Sequence, residues 1–460
     1  MGAQSSNPEH LALIGYAQAA MNELLLREEH AFYLEHIDQG LSLLAERDHQ
    51  ELRAQRQQVT SASTSDALLA FIKSLQERFA SFSAQDAPGL AEYFRRVGDW
   101  EARFYAHRLK NAHARGADAG PTITAATLQE YLRRRFPQSA DLTVTRFVSL
   151  AGGFSKKTIL FETEDAAHGQ RSMVIRAEQP IRLLCIAGSD VAREYHMIQL
   201  MARLGMPIAE PLWLEEDRAS LGRRFIVSRR ADGETYGGNF GSHNTLRPAL
   251  LDSIFANFVK LHNLRVEPDD PLTRRSHLEE WLPFKTAEEC THYLVNKYLI
   301  RMIEESQAEE SPQLLRALTW LQRNVPEVDE PPAVLHIDFA LNNLIIKNEA
   351  VTAVLDWETS RLGDPAEDII WTQQNLAAHI PMPEFLRRYE AGTGRKVSAY
   401  RLAYSRVAKC ALNAITCLGA LSAIDKYDDT DSAFLPLALC YMSHFGSQFN
   451  GLIEAAEAAA

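Results

Sequence analysis

Residues 334–368 read VLHIDFALNNLIIKNEAVTAVLDWETSRLGDPAED, and this stretch decides the fold. Three short apolar runs, at residues 333–335, 344–347 and 351–355, have the composition of strands, and a short Asn/Glu turn joins the second run to the third. Polar residues follow the runs directly: His336, Asp338 and Asn343 come after the first, and Asp356 comes after the last. The pattern predicts a loop and a hairpin that present carboxylate and amide groups at the ends of buried strands.

The spacing of these polar residues indicates phosphoryl transfer. That reaction needs positioning, magnesium and a carboxylate that orients the incoming hydroxyl, rather than covalent catalysis. Protein kinases place their catalytic Asp and a magnesium-binding Asn in the pattern H-R-D-x-x-x-x-N, and Asp338 and Asn343 have the same spacing. We assign Asp338 as the base or hydroxyl-positioning group, and Asn343 and Asp356 as ligands of Mg2+, which prefers oxygen. A polar hairpin whose acids cap turns is the alternative.

The whole segment resembles the active-site segment of the aminoglycoside phosphotransferase and choline kinase-like family. That family has H-G-D with an Asn five residues after the Asp, then D-W-E or a similar triplet, then G-D-P and a further Asp. Ile337 departs from the pattern, because it stands where the family usually has Gly. The matching residues here are His336, Asp338, Asn343, Asp356, Trp357, Glu358, Gly363, Asp364, Pro365 and Asp368.

The resemblance runs from about residue 124 to the carboxyl end, and it is nearest to the branch related to the phosphotransferase domains of acyl-CoA dehydrogenase fusions. It implies an α+β, bilobal protein-kinase-like fold with ATP and Mg2+ as cofactors. The resemblance also implies that Asp356 takes the place of the kinase D-F-G aspartate, while Asp364 and Asp368 brace the loop.

A glycine-rich turn lies between two predicted strands, at residues 142–148 and 158–162. Glycines in such a turn allow backbone N–H groups to approach nucleotide phosphates, although Gly-Gly is also an ordinary hairpin turn. The turn resembles the family's GGxSN-T loop, and that resemblance implies that Gly152, Gly153 and Ser155 bind phosphate, with Lys156 where Asn is frequent.

The third predicted strand, residues 173–176, places Arg176 where the kinase strand V-A-I-K has its phosphate-pairing Lys. Arg is not equivalent to Lys, so one interpretation is a disabled kinase. The interpretation that we prefer is the V-L-R strand of the acyl-CoA dehydrogenase fusion branch. The resemblance then implies that Glu194 pairs with Arg176, whereas a solvated helix face is the alternative. It also places Ser228 and Arg230 in a linker beside the adenine.

Composition limits the partners. A formal net charge of -12 and a pI of about 5.7 argue against a nucleic-acid binder and against an anionic-membrane binder. We therefore expect a small-molecule partner that carries a hydroxyl group. The five cysteines form no C-x-x-C pair, which excludes a disulfide framework and a zinc site and favours a reducing compartment, the cytoplasm.

Residues 1–115 follow helical periodicity and carry no chemical motif, so they predict an added N-terminal helical bundle. Its role could be to form a homodimer, to dock a protein partner or to cap the active site. The Ala/Gly-rich residues 114–121 predict the boundary to a first kinase-like lobe, a helix plus a mostly antiparallel sheet, at residues 122–230. A mainly helical second lobe at residues 231–460 carries the catalytic loop.

The expected function is transfer of the ATP gamma-phosphate to a hydroxyl of a small molecule. The V-I-R strand and the apolar helix at residues 400–424 favour a hydroxyacyl-CoA or another apolar alcohol. The alternatives are an aminoglycoside or amino-alcohol kinase and a nucleotide-binding pseudokinase or scaffold. A cationic acceptor would require concentrated carboxylates, for which four acids are candidates unless they form a solvated helix face. These are Glu279, Glu280, Glu288 and Glu289.

Overall fold

The computed structural model describes residues 123–150, 155–179, 190–236, 246–308, 311–426 and 444–460, together with residues 54, 94, 95, 97, 98 and 101. This part of the chain folds into one lobe with an antiparallel sheet and a second lobe that is mainly helical. The predicted α+β class is therefore confirmed. Most of the predicted N-terminal bundle lies outside the described residues.

The first lobe consists of helices and a five-stranded antiparallel sheet, in which the fifth strand along the chain lies between the third and the fourth. Thr124 caps the first helix, because its hydroxyl accepts a hydrogen bond from the Thr127 backbone N–H at 3.2 Å. The elements are α1 (Ala125–Arg135), β1 (Thr143–Ser149), β2 (Lys156–Asp165), β3 (Gly169–Glu178), α2 (Val191–Arg203), β4 (Pro211–Glu215), α3 (Arg218–Leu221) and β5 (Phe225–Arg229).

Alternating side chains of the sheet form the core of this lobe. Ile159, Phe161 and Ile175 are fully or almost fully buried in one cluster with Leu128 and Leu132 of α1. The strands β2 and β3 are longer than their apolar runs, because the polar ends continue the ladder from the Lys156–Glu178 pair to the Asp165–Gly169 pair.

The second lobe surrounds a small hairpin that carries the loop of interest. In chain order its elements are β6 (Glu234–Thr235), α4 (Pro248–Asn263), α5 (Pro271–Arg275), a 3-10 turn (Glu279–Trp281), α6 (Ala287–Tyr293), a π turn (Leu294–Tyr298), α7 (Leu299–Ser306), α8 (Pro312–Arg323), β7 (Ala333–Leu335), a 3-10 turn (Leu341–Asn343), β8 (Leu344–Lys347), β9 (Ala350–Val354), β10 (Arg361–Gly363), α9 (Ala366–Leu376), α10 (Met382–Thr393), α11 (Ala399–Lys426) and α12 (Gly446–Glu457).

Helix α11 runs through the middle of this lobe. Its apolar side chains are buried, including those of Cys410 and Cys417. Near its start, the Tyr404 hydroxyl donates to the Leu321 carbonyl of α8 at 2.9 Å. None of the helices in the described ranges is both long and apolar enough to cross a membrane.

A short piece of the N-terminal segment packs against the second lobe. Phe94 and Val97 are buried in the main core of that lobe, and the carboxylate of Glu101 lies at the start of α8. Glu101 accepts hydrogen bonds from the Ser311 hydroxyl at 3.1 Å and from the Gln313 backbone N–H at 2.9 Å. A carboxylate at this position satisfies an otherwise unpaired N–H and complements the helix dipole.

We expect Glu101→Ala to lower the free energy of unfolding by about 1–3 kcal/mol, because it leaves the buried Gln313 N–H without its acceptor. Urea titration followed by tryptophan fluorescence measures this. Glu130→Ala on the exposed face of α1 is the matched control and should change stability by at most about 0.5 kcal/mol. Equal stability of the two variants would show that the contact of Glu101 with α8 contributes nothing.

Candidate active site

The loop between β7 and β8 carries the predicted catalytic residues. Strand β7 pairs with β10, and β8 pairs with β9, so both ends of the loop are fixed by ladders. The Leu355 backbone N–H donates to the Asn343 carbonyl at 2.8 Å, which places Asn343 beside the end of β9, where Asp356 follows. Asp356 therefore follows a strand end that is hydrogen-bonded to Asn343, on the loop that also carries Asp338.

Both carboxylate oxygens of Asp338 accept a hydrogen bond. The Trp371 indole Nε1–H donates to Oδ1 at 2.7 Å, and the Asn343 amide donates to Oδ2 at 2.8 Å. The same Asn343 amide nitrogen also donates to the Asp338 carbonyl at 2.9 Å, so the loop closes on itself. Asp338 is nevertheless partly exposed, and each oxygen retains a lone pair for a further donor. The carboxylate is therefore held in place and accessible.

Helix α9 holds this loop through the buried Asp368. Its two oxygens accept hydrogen bonds from the backbone N–H of His336 at 2.8 Å and of Ile337 at 2.6 Å. The ring of His262 contacts the same carboxylate at 3.1 Å, and its other nitrogen contacts the Tyr389 hydroxyl at 2.9 Å. Asp368 therefore braces the loop from behind, as the resemblance implies, and His262 is a structural residue.

His336 supports the loop as a neutral ring. Its Nε2 lies 2.9 Å from the Leu355 carbonyl, which can only accept, so Nε2 carries the proton. Nδ1 is then free to accept from the Asp338 backbone N–H at 3.3 Å. Burial lowers the pKa of His336, although Asp368 and Asp338 oppose this, and the hydrogen bonds fit the neutral form.

Ile337 adopts the backbone conformation that glycine would favour. Its φ is 71°, in the left-handed region that glycine occupies without a Cβ penalty. The side chain is 2% exposed and packs in the main core. Burial of a large apolar side chain, about 1.5–3 kcal/mol, offsets a left-handed penalty of about 1–2 kcal/mol.

We expect Ile337→Gly to be more stable than Ile337→Ala by about 1 kcal/mol, because both lose the packing but only alanine keeps the left-handed penalty. The order should reverse at the neighbouring buried strand residue, where Val334→Ala should be more stable than Val334→Gly. Chemical denaturation of the four variants checks this. The same order at both positions would mean that the conformation of Ile337 carries no strain.

Arg176 and Glu194 meet as the resemblance implies. The Arg176 Nε lies 3.2 Å from a carboxylate oxygen of Glu194, and Glu194 is fully buried, which excludes the alternative of a solvated face for this residue. Arg176 also donates to Asp356 Oδ1 at 2.8 Å. Burial disfavours the charge on Arg176, but Asp356 and Glu194 outweigh burial and raise the pKa of Arg176. The strand arginine is thus a fixed cation beside Asp356.

A second set of contacts joins the glycine-rich turn to the other lobe, and sequence reasoning did not identify it. The Ser155 hydroxyl donates to one oxygen of Glu358 at 2.5 Å, and the Lys156 amine donates to the other at 2.8 Å. The amine also lies 3.9 Å from Glu194 and is almost fully buried. Burial lowers the pKa of Lys156, but Glu358 and Glu194 outweigh burial and raise it.

The remaining predicted site residues are two glycines assigned to the phosphates and two residues assigned to the adenine. Gly152 and Gly153 lie outside the described residues. Ser228 lies within β5, where it is paired with Val174 of β3. Arg230 follows the strand, and its backbone N–H donates to the Ser172 carbonyl at 2.9 Å. Their placement beside an adenine stays a prediction.

The oxygen atoms around Asp356 suit a magnesium ion that is shared with phosphates. The Asn343 amide nitrogen donates to Asp338, and its side-chain oxygen accepts from the Asn342 amide at 3.2 Å. Asp356 accepts from Arg176 with one of its two oxygens. Among the residues that the structure describes, no group of three or more His, Cys, Asp and Glu side chains is arranged to hold a metal ion. Two protein oxygens completed by phosphates and water are the usual environment of Mg2+.

Comparison with known proteins identifies relatives of this chain. The sequence profile of the phosphotransferase enzyme family matches residues 146–407, more than half of the chain. Acyl-CoA dehydrogenase family member 11 of Mus musculus is 27% identical over 276 residues, which are 55% of this chain and 33% of that protein. Hygromycin-B 4-O-kinase of Escherichia coli is 24% identical over 255 residues, which are 54% of this chain and 66% of that protein.

The match to the first of these relatives thus spans about a third of that protein's length. Among solved structures, a putative aminoglycoside phosphotransferase from Ralstonia eutropha is 20% identical with a TM-score of 0.47, covering 70% of this chain and 98% of that chain. A thermostable mutant of aminoglycoside phosphotransferase APH(4)-Ia, in ternary complex with ADP and hygromycin B, is 16% identical with a TM-score of 0.48, covering 72% and 98%.

Proposed function

Because this chain belongs to the phosphotransferase enzyme family, we propose that it is a small-molecule kinase that uses ATP and Mg2+ and transfers the gamma-phosphate to a hydroxyl group. The observation that carries the proposal is the environment of the Asp338 carboxylate. Its carboxylate is held at both oxygens, is partly exposed, and lies on the same loop as Asn343. A positioned carboxylate of this kind suits a hydroxyl that must be oriented for in-line attack.

Each neighbouring group has a role in this proposal. Asp338 accepts the proton of the acceptor hydroxyl. Asn343 and Asp356 would hold Mg2+, which would neutralise charge on the phosphates. Arg176 would contact phosphate oxygens, with Glu194 holding the guanidinium from behind. The backbone of residues 152 and 153 with Ser155 would cover the phosphates, and residues 228 and 230 would border the adenine.

The acceptor that we propose is a hydroxyacyl-CoA or another alcohol without positive charge. The four acids that could have received a cationic acceptor are engaged in other contacts. Glu279 pairs with Arg193 at 3.5 Å, and Glu280 contacts Tyr293 and Arg301. Glu288 and Glu289 accept hydrogen bonds from the backbone N–H groups of residues 328 and 286. All four carboxylates therefore have partners of their own, and two of them, Glu279 and Glu280, are paired with arginines.

Helix α11 supports the same acceptor class through its basic side chains rather than through its apolar ones. Its apolar side chains are buried in the lobe core, so packing accounts for them. The amine of Lys409 instead reaches the Ile337 carbonyl beside Asp338 at 2.8 Å, and Arg406 is exposed one turn earlier. An amine beside the proposed base disfavours binding of a cationic amino sugar or amino alcohol at this point. The names of the acyl-CoA dehydrogenase relatives agree with this choice.

A second candidate, an aminoglycoside kinase, is favoured by the similarity to hygromycin-B 4-O-kinase. ATP turnover with Mg2+ separates the two candidates when it is measured against hydroxyacyl-CoAs, free hydroxy acids, amino alcohols and aminoglycosides. We expect ATP turnover with the hydroxyacyl-CoAs or with the free hydroxy acids. Turnover with amino sugars alone would overturn the proposed acceptor class.

If no acceptor in this set supports ATP turnover but ATP still raises the melting temperature, the protein would instead be a nucleotide-binding pseudokinase. Silence without any shift by ATP would favour a scaffold.

A further inference from the structure

One turn of helix α9 contacts four consecutive residues of the catalytic loop. Asp368 binds the backbone N–H groups of residues 336 and 337, and the Thr372 hydroxyl donates to the Phe339 carbonyl at 3.0 Å. Trp371 lies between them in sequence, and its Nε1–H donates to the side chain of Asp338 at 2.7 Å. Positions i, i+3 and i+4 share one face of a helix, so all three side chains point toward the loop. Of the three, only Trp371 contacts the carboxylate that we assign to the reaction.

Two anchor points fix the plane of the Asp338 carboxylate. Terminal torsions such as χ2 of Asp are broad, so a single donor leaves the group able to rotate. Asn343 supplies one donor from the loop itself, and Trp371 supplies the other from a rigid helix. Correct orientation of a reacting group within a small angular range is a large part of such catalysis.

Lys409 of α11 acts on the same tryptophan. Its amine lies 4.5 Å from the centre of the Trp371 ring, within the range of a cation–π contact, and it donates to the Ile337 carbonyl at 2.8 Å. The amine therefore touches both the ring that holds Asp338 and the backbone that precedes it. A cation over the ring draws electron density from the indole and makes its N–H a stronger donor.

From this geometry we infer that Trp371 and Lys409 form a positioning pair for phosphoryl transfer, in which Trp371 orients the Asp338 carboxylate and Lys409 fixes Trp371. The inference rests on the proposed function, because it assigns these residues to the same reaction. Neither residue belongs to the motif that identifies the catalytic loop.

Steady-state kinetics of conservative variants test the pair. Trp371→Phe keeps the ring and removes only the N–H, and we expect kcat to fall about 10- to 100-fold with KM for ATP unchanged. Lys409→Met should lower kcat by about 2- to 30-fold, and Lys409→Arg should restore most of it. Because both residues act through one carboxylate, the double variant should lose less than the product of the two single losses.

The chain offers a matched control for each change. The Trp320 Nε1–H of α8 also donates to a carboxylate, that of Glu457 of α12, at 3.0 Å. Trp320→Phe should leave kcat unchanged. Lys347→Met removes an exposed amine that pairs with Asp232 and should also leave kcat unchanged.

A spectroscopic readout separates failure of the inference from failure of the proposed function. In protein labelled with 15N-tryptophan, the indole signal that disappears in Trp371→Phe belongs to Trp371. We expect Asp338→Ala to shift this signal and to speed its exchange with water, whether or not any acceptor is phosphorylated.

Two results would overturn the pair. One is an unmoved indole signal in Asp338→Ala. The other is a Trp371→Phe variant that changes only KM for the acceptor, which would make Trp371 a substrate contact. An inactive wild-type protein with the expected indole shift would refute the proposed function and leave the hydrogen bond established.

Discussion

Asp338→Asn is expected to lower kcat by about 10²- to 10⁴-fold, because the variant loses the group that accepts the hydroxyl proton. The substitution also disturbs the local hydrogen bonds. The Trp371 indole and the Asn343 amide both donate to this side chain, and an asparagine offers an acceptor to only one of them. Nucleotide binding should be spared, since the contacts of Arg176 lie on other residues.

Measurement of kcat together with the thermal shift induced by ATP checks both parts of this expectation. Asp232→Asn is the matched control, because that carboxylate is exposed and pairs only with Lys347 among the described residues. The control should turn over at the wild-type rate. Unimpaired turnover in Asp338→Asn would refute the assignment of Asp338 as base.

Asp356→Ala is expected to abolish magnesium-dependent turnover, with a loss of at least about 10³-fold. Charge stabilisation by a bound metal contributes several kcal/mol, and each 1.36 kcal/mol changes a rate tenfold. The fold should survive, because Arg176 keeps its ion pair with Glu194 and the left-handed backbone at Asp356, with φ of 66°, costs alanine at most about 1–2 kcal/mol.

Titration of turnover with Mg2+ measures this effect, with Asp232→Ala as the control. The wild-type protein and the control should saturate together, while Asp356→Ala should stay inactive across the titration. A variant with the wild-type dependence on Mg2+ would remove Asp356 from the ligand set.

The hairpin and its loop could be predicted from sequence because their signals are local. Strands β7 and β8 match the predicted runs at both ends. The helical pattern of residues 312–323 likewise predicts α8 with the bounds that the structure shows. Apolar runs, turn residues and a proline in the first turn of the helix act over a few residues. The Arg176–Glu194 ion pair was reached by resemblance and is confirmed by the 3.2 Å contact.

The contacts that complete the site could not be predicted, because they join segments far apart in the chain. Lys156 and Glu358 are 202 residues apart, and Trp371 and Asp338 are 33 apart. An indole and a lysine on apolar helices have the periodicity of core residues, so no local signal marks them. The left-handed φ of Ile337 could not be predicted from sequence either, because β-branched residues rarely adopt that conformation.

The helical pattern of residues 287–305 predicts a single helix, and this prediction is wrong in detail. The structure divides it into α6, a π turn at Leu294–Tyr298 and α7. A π turn adds a residue to one turn, so the apolar stripe shifts by a fraction of a turn without a Gly or Pro to mark the place. Helical periodicity over the whole segment therefore suggested one uninterrupted element.

The ion pairs between the lobes have a consequence for the order in which ligands bind. Two cations, Lys156 and Arg176, lie among three carboxylates, those of Glu194, Asp356 and Glu358, so the cluster carries an excess of one negative charge when all are ionised. A polyphosphate without a metal ion would be repelled by the negative charge of this cluster. A bound divalent cation would make the net charge of the cluster positive. Under the proposed function, we therefore expect metal and nucleotide binding to be thermodynamically linked, with strong discrimination between the magnesium complex of ATP and the free nucleotide.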